Sequence, residues 1–110
     1  MTRQRMDMLQ GTLAMLILKA LERGPSHGYQ IARTIETATD DVLCVEEGSL
    51  YPALHRMQQR GWVSARWGLS ENNRKAKYYE LTDVGQEQLQ SETAEWERYA
   101  GAVAQMLKSN

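Results

Sequence analysis

The sequence predicts a mainly α fold with a two-stranded β-hairpin: three amphipathic helices, the hairpin, then one long helix. Three observations carry this expectation. Apolar residues recur at helical spacing from Leu9 to Leu21, from Ile31 to Ala38 and from Leu50 to Met57. Aromatic and β-branched residues then flank a polar, turn-forming stretch between Trp62 and Leu81. From Leu89 onward apolar residues return near heptad spacing. With 110 residues, 42% of them hydrophobic, the chain can bury one core and has no room for a second independent domain.

In the first helix Leu9, Leu13, Leu16, Ile17, Ala20 and Leu21 share one face. Gly24 and Pro25 end it, because glycine accepts the left-handed cap conformation and proline cannot continue the hydrogen-bond ladder. Ser26 is the expected N-cap of the second helix, whose inner face is Ile31, Ile35 and Ala38. Asp40 and Asp41 mark the loop beyond. The third helix is expected to open near Gly48 and Ser49, since Pro52 is tolerated in a first turn, with Leu50, Leu54 and Met57 inside and Gly61 as the stop.

Trp62, Val63, Ala65 and Trp67 form one strand of the hairpin and Tyr78, Tyr79 and Leu81 the other, with Gly68, Ser70, Asn72 and Asn73 at the tip. Thr82 and Asp83 suit the start of the last helix, although Gly85 and Gly101 weaken it. Leu89, Trp96, Val103 and Leu107 make its stripe, with Tyr99 and Ala100 between them. If helical to Lys108 it is about 39 Å long, at 1.5 Å per residue. The rest of so small a domain cannot cover it, so its free apolar face needs a partner, and a second copy of the chain is expected there. Three helices and a hairpin give winged helix-turn-helix order over residues 1–82, followed by a C-terminal dimerisation helix over 83–110, the two forming one compact unit.

Net charge is −1, but its distribution matters more. Residues 1–54 hold five Lys/Arg and seven Asp/Glu, residues 55–77 six and one, and residues 78–110 two and six. A basic block between two acidic ones can present a local positive surface to the phosphates of double-stranded DNA. The same block could also be a solvated charged stretch. Cys44, the one cysteine, can form no intrachain disulfide and has no Cys/His group at zinc spacing, so no metal or other cofactor is expected and a cytoplasmic setting is the default. The apolar run Leu13 to Leu18 is short and is followed by Lys19, which supports neither a membrane span nor a secretory signal.

Three local sequences stand in order along the chain: Gly24-Pro25-Ser26-His27-Gly28-Tyr29 before the second helix, Gly48-Ser49-Leu50-Tyr51-Pro52-Ala53-Leu54 opening the third, and Lys77-Tyr78-Tyr79-Glu80-Leu81-Thr82 followed by Gly85. Together they resemble the PadR family of transcriptional regulators across nearly the whole chain. The short length further resembles the subgroup with a single C-terminal dimerisation helix. Ala76 replaces a common wing proline, and the wing tip is Asn-rich. The resemblance implies a repressor that binds an inverted-repeat operator as a homodimer and responds to an effector.

Around the faces left free by the inner stripe, the third helix offers Ser49, Tyr51, Pro52, His55, Arg56 and Gln59 to a major groove. Arginine can bond a guanine edge in bidentate fashion, and histidine and glutamine can donate or accept at base edges. Ser49, near a helix N-terminus, can meet phosphate. Tyr51 can equally pack its ring beside the core. Arg74, Lys75 and Lys77 flank the wing, where long cations can follow the phosphate backbone. Leu89, Trp96, Val103 and Leu107 are the expected dimer contacts. In short PadR-like dimers the terminal and first helices border a central cavity, so Trp96 could stack on a planar aromatic effector there, with Met8, Leu13, Tyr99 and Val103 as neighbours. The alternative function is a winged-helix protein-interaction module whose basic wing meets an acidic protein. An enzyme has little support, because no acid/base pair, activated nucleophile, metal cluster or phosphate loop is present.

Overall fold

The structure, a computed structural model, describes the backbone of residues 3–110 and the side chains of residues 11–110. Its elements in chain order are α1 (Arg3–Leu21), β1 (Ser26–His27), α2 (Gly28–Ala38), α3 (Glu47–Gln59), β2 (Val63–Leu69), β3 (Lys75–Leu81) and α4 (Asp83–Lys108). Helix α1 is the hub of the packing and touches α2, α3, α4 and β3. Its Leu13, Ile17, Leu18, Ala20 and Leu21 are buried, while Leu16 is only partly covered. The helix ends where Gly24 takes a φ of 136°, a conformation that glycine accepts without Cβ strain.

Ser26 does not cap α2. It lies in β1, which pairs antiparallel with β3 through Ser26↔Tyr79 and His27↔Tyr78, so the expected hairpin is part of a three-stranded sheet of order β1-β3-β2. The cap moves one residue on: His27 Nδ1 accepts the Gln30 N–H at 3.3 Å. Ile31 and Ile35 are buried as expected, but Ala38 is exposed and Ala32 packs against the core in its place. Beyond α2, Asp40 and Asp41 turn the chain with positive φ of 51° and 63°. The chain then returns inward at Val45, which is buried.

Helix α3 opens at Glu47, before Gly48, so Pro52 falls in the second turn rather than the first. Lacking an N–H, Pro52 leaves the Gly48 carbonyl without its usual helical donor on an exposed face, where water can serve it. Leu50, Ala53, Leu54 and Met57 are buried. At the other end Gly61, with φ of 79°, closes a Schellman motif: Trp62 N–H donates to Met57 O and Gly61 N–H to Gln58 O, both at 3.0 Å.

The β2–β3 register runs from Val63↔Leu81 to Leu69↔Lys75. Near its base the inner face is core, with Val63 and Tyr79 buried. Burial first, and the neighbouring Tyr51 second, push the Tyr79 hydroxyl above the usual tyrosine range, so this core phenol stays neutral. The Asn-rich tip is a tight turn in which Ser70 N–H donates to Arg74 O at 2.8 Å and Asn73 takes a φ of 60°.

Helix α4 is locked to the end of α3 by its first turn. Thr82 Oγ1 accepts the Gly85 N–H at 3.0 Å and donates to Gly61 O at 2.6 Å, while Thr82 N–H donates to Trp62 O at 3.1 Å. A Cβ at Gly85 would collide with the Trp62 carbonyl oxygen. Gly85→Ala should therefore destabilise the fold by about 1 to 3 kcal/mol, because backbone must move to admit it. Chemical denaturation checks this, and a variant as stable as wild type would mean that the α3–α4 junction is soft. Leu89 completes the core, and α4 then runs past it. The Cα radius of gyration of 15.2 Å reflects that projection, against about 13 Å for a compact chain of this length.

Candidate nucleic-acid interface

At 100° per residue, the buried stripe of α3 places Pro52, His55 and Gln59 on the opposite side of the helix. Tyr51 stands at one flank, with Ser49 and Arg56 at the other. All are exposed except Ser49, which is partly covered. Arg56 forms no ion pair among the described residues. Its guanidinium is therefore available to an external acceptor. The ring of Tyr51 lies across the start of α2, where a Cβ at Gly28 would stand 2.5 Å from the phenol oxygen. Gly28 is thus the floor on which Tyr51 rests, and the tyrosine, 43% exposed, joins packing to presentation.

The N-terminal end of α3 is less suited to phosphate than expected. Glu46 and Glu47 bring carboxylates to it, and the Ser49 N–H is already donated to Glu46 O at 3.0 Å. Negative charge there stabilises the helix dipole but repels a phosphate.

Two of the wing's cations, Lys75 and Lys77, lie on the face that looks toward α3. Lys75, Lys77 and Tyr79 alternate with Ala76 and Tyr78 along β3, and across the ladder Trp67 stands opposite Lys77 and Leu69 opposite Lys75. Lys75 Nζ lies 5.3 Å from the centroid of the Trp67 ring, and Lys77 Nζ 5.8 Å from that of Tyr79. Arg74 stays at the exposed tip. On the other face Tyr78 donates to Leu69 O at 2.8 Å, its ring closing on Gly68, and Arg66 meets Glu80 at 3.5 Å. These contacts stiffen the hairpin without using Lys75 or Lys77.

A protruding, cation-bearing hairpin beside an exposed third helix is the layout with which winged-helix proteins grip duplex DNA. The family model described as the transcriptional regulator PadR-like family matches residues 17–91. The chain belongs to that family. Its members are regulators rather than enzymes, and the fold is a DNA-binding winged helix. A solved transcriptional regulator from Clostridium thermocellum is similar at 28% identity, with a TM-score of 0.84 over 93% of this chain and 99% of that one. A PadR-like transcriptional regulator from Bacillus cereus superposes with a TM-score of 0.79 at 31% identity, over 94% and 99% of the two chains. The transcriptional regulator YqjI of Escherichia coli is 31% identical over 80 residues, 73% of this chain but 37% of that protein.

In this PadR-like chain the apolar face of α4 and the adjoining face of α1 form an open groove of about 870 Å³. Trp96, Tyr99, Val103 and Leu107 line it from α4, and Met15 and Leu16 from α1. Two expected residues are elsewhere. Leu13 points into the core and is 3% exposed, because the α1 face toward the groove is one turn-step away at Met15 and Leu16. Leu89 is likewise buried within its own chain, so it does not belong to a free face. The side chain of Met8 lies outside the described residues. Among the described residues no group of His, Cys, Asp and Glu is placed to hold a metal, and no helix is long and apolar enough to cross a membrane.

Sequence reasoning passed over Tyr29 and Trp67, which line the cleft between the helices and the wing. Trp67 was legible only as a strand former; its exposure is a property of the projecting hairpin. For the wing, Lys75→Ala should weaken operator and random duplex alike and reduce the magnitude of the salt slope by about one. Binding titrations across a salt series check this. A slope equal to wild type would mean that Lys75 meets no phosphate.

Proposed function

We propose that the chain is a homodimeric, effector-responsive repressor that occupies an inverted-repeat operator from the cytoplasm. The observation that carries this reading is the juxtaposition of an exposed α3 face, bearing His55, Arg56 and Gln59, with Lys75 and Lys77 on the facing side of the wing. In this reading residues 1–82 grip DNA. Base readout comes from Tyr51, Pro52, His55, Arg56 and Gln59, and Arg74, Lys75 and Lys77 hold the backbone, with Ser49 at the margin. Residues 83–110 pair two copies through Trp96, Val103 and Leu107, which are 45%, 39% and 80% exposed in the single chain.

Switching follows from the same geometry. Two recognition helices must meet major grooves about 34 Å apart. A planar aromatic effector held beside Trp96 and Tyr99 loosens DNA by favouring a dimer of different spacing, and it does so only through a difference in affinity between the two geometries. The indole of Trp96 and the Tyr99 ring, 6.3 Å apart between centroids, form an aromatic wall for such a ligand. Planar aromatic compounds should quench the protein's tryptophan fluorescence, and quenching that persists unchanged in Trp96→Leu removes that residue from the site. The reading as a whole is tested by sequencing DNA that co-purifies with the protein and titrating the recovered duplex. Tight, salt-sensitive binding is expected. A protein that shifts no duplex even at low salt, and instead retains an acidic protein, acts as an interaction module.

A further inference from the structure

Between α2, the start of α3 and the wing runs a cleft of about 680 Å³. Tyr29, Tyr51 and Trp67 stand around it together with Lys75 and Lys77. Tyr29 and Trp67 are 69% and 62% exposed. Such large apolar surfaces on a projecting hairpin and a helix start give the monomer no core contact in return. The neighbour of the Trp67 ring is a cation, since the Lys75 ammonium lies 5.3 Å from the indole centroid. That contact is a diagonal one across the ladder, because the residue directly opposite Trp67 is Lys77 and the one opposite Lys75 is Leu69. A lysine on a two-residue-wide ribbon has many rotamers. The ring face selects those that bring the ammonium over the cleft.

The cleft thus sets two lysines against one carboxylate, Glu71, and carries the rings of Tyr29, Tyr51, Trp67 and Tyr79, a net positive and aromatic lining that suits a polymer with anionic groups at regular intervals and apolar sugar between them. We propose that one strand of the duplex backbone lies in this cleft and that Trp67 is its positioning residue, holding Lys75 toward a phosphate while its exposed face packs on the adjacent deoxyribose. This rests on the DNA-binding reading and adds a residue and a path to it. Sugar and phosphate are common to every sequence, so Trp67 contributes to affinity and not to discrimination. Lys75 depends on Trp67 for its orientation, so the two residues are not independent.

The test is fluorescence anisotropy on operator and scrambled duplexes with Trp67→Leu, Trp67→Phe, Lys75→Ala and the Trp67→Leu/Lys75→Ala double variant. Leucine keeps apolar area but has no π face, whereas phenylalanine keeps a weaker one. Trp67→Leu should weaken both duplexes by about three- to tenfold and Trp67→Phe by less, as expected for loss of one cation–π contact that becomes desolvated on binding. The double variant should bind no more than about twofold more weakly than the poorer single variant, since the lysine acts through the ring. Wild-type affinity in Trp67→Leu, equal losses in the leucine and phenylalanine variants, or losses that simply multiply in the double variant overturn the inference. A readout that leaves the residue in place is fluorine NMR of wild-type protein carrying 5-fluorotryptophan. The Trp67 resonance, identified by its absence from Trp67→Phe, should shift on adding duplex, and an unmoved resonance also overturns it. If wild-type protein itself binds no duplex, the DNA-binding reading fails first, which is a distinguishable result.

Discussion

A chain that ends at Gln90 is expected to be a folded monomer with about a hundredfold or greater loss of operator affinity. The stability half of this result follows from burial. Gly85 and Leu89 are the buried residues of α4, and no residue from 90 to 110 is buried in the single chain. The winged-helix core, its Thr82 cap and the Gly85 contact with Trp62 all precede the cut. The affinity half follows from linkage. Two covalently independent half-site contacts become one event when the protomers are paired, and joining two binding modules raises avidity by about 10² to 10⁴ without a new contact. The removed segment carries Trp96, Tyr99, Val103, Met106 and Leu107, all exposed. Aromatic side chains alone bury about 150 to 250 Å² each when covered, so this face can approach the roughly 800 Å² per partner of a standard interface. Light scattering and anisotropy on duplexes carrying one or both half-sites check the result. A truncated chain that remains a tight dimer would place the interface on another surface.

The parts of the fold that could be read from sequence are those set by local rules. Gly61 after Met57 stops α3 through a Schellman motif, Thr82 three residues before Gly85 caps α4, and the Leu50, Leu54 and Met57 stripe turns one face of α3 inward. What could not be read depends on a distant partner. Ser26 and His27 form a strand only because β3 is there to receive them, and two residues carry no periodicity of their own. Helix α3 begins one residue before the expected Gly48, and Pro52 sits in its second turn because its exposed face tolerates the lost hydrogen bond there. Leu89 and Trp96 share one stripe in the sequence, yet the first is 4% exposed and the second 45%. Periodicity reports that a face is apolar and not whether its own chain or another covers it. The same limit hid Leu13, which lies in the core while Met15 and Leu16 face the groove. Around the cleft the lysines are legible from charge as candidates, and the aromatic residues that line it are not, because Tyr29 and Trp67 are also ordinary helix and strand residues.

Arg56→Ala is expected to lower operator affinity by about 1 to 3 kcal/mol while binding to scrambled duplex falls less, so that discrimination shrinks. Arg56 stands on α3 beside the outward row of Pro52, His55 and Gln59, exposed and without an ion-pair partner among the described residues. A guanidinium can donate two parallel bonds to guanine O6 and N7, and the alanine variant leaves those acceptors to water, a loss that depends on the base. Its contrast is Lys75, whose ammonium lies over Trp67 on the wing; in the proposed function it meets phosphate rather than a base, so Lys75→Ala is expected to preserve the ratio of operator to scrambled affinity. The two variants therefore separate in a single experiment. Titrated on both duplexes over a salt series, Arg56→Ala should change the specificity ratio and leave most of the salt slope, and Lys75→Ala should do the reverse. If Arg56→Ala weakens both duplexes equally, its contact is with phosphate, and base reading falls to His55 and Gln59 on the outward row and to Tyr51 at its flank, the remaining α3 side chains of the proposed readout set that can bond a base edge.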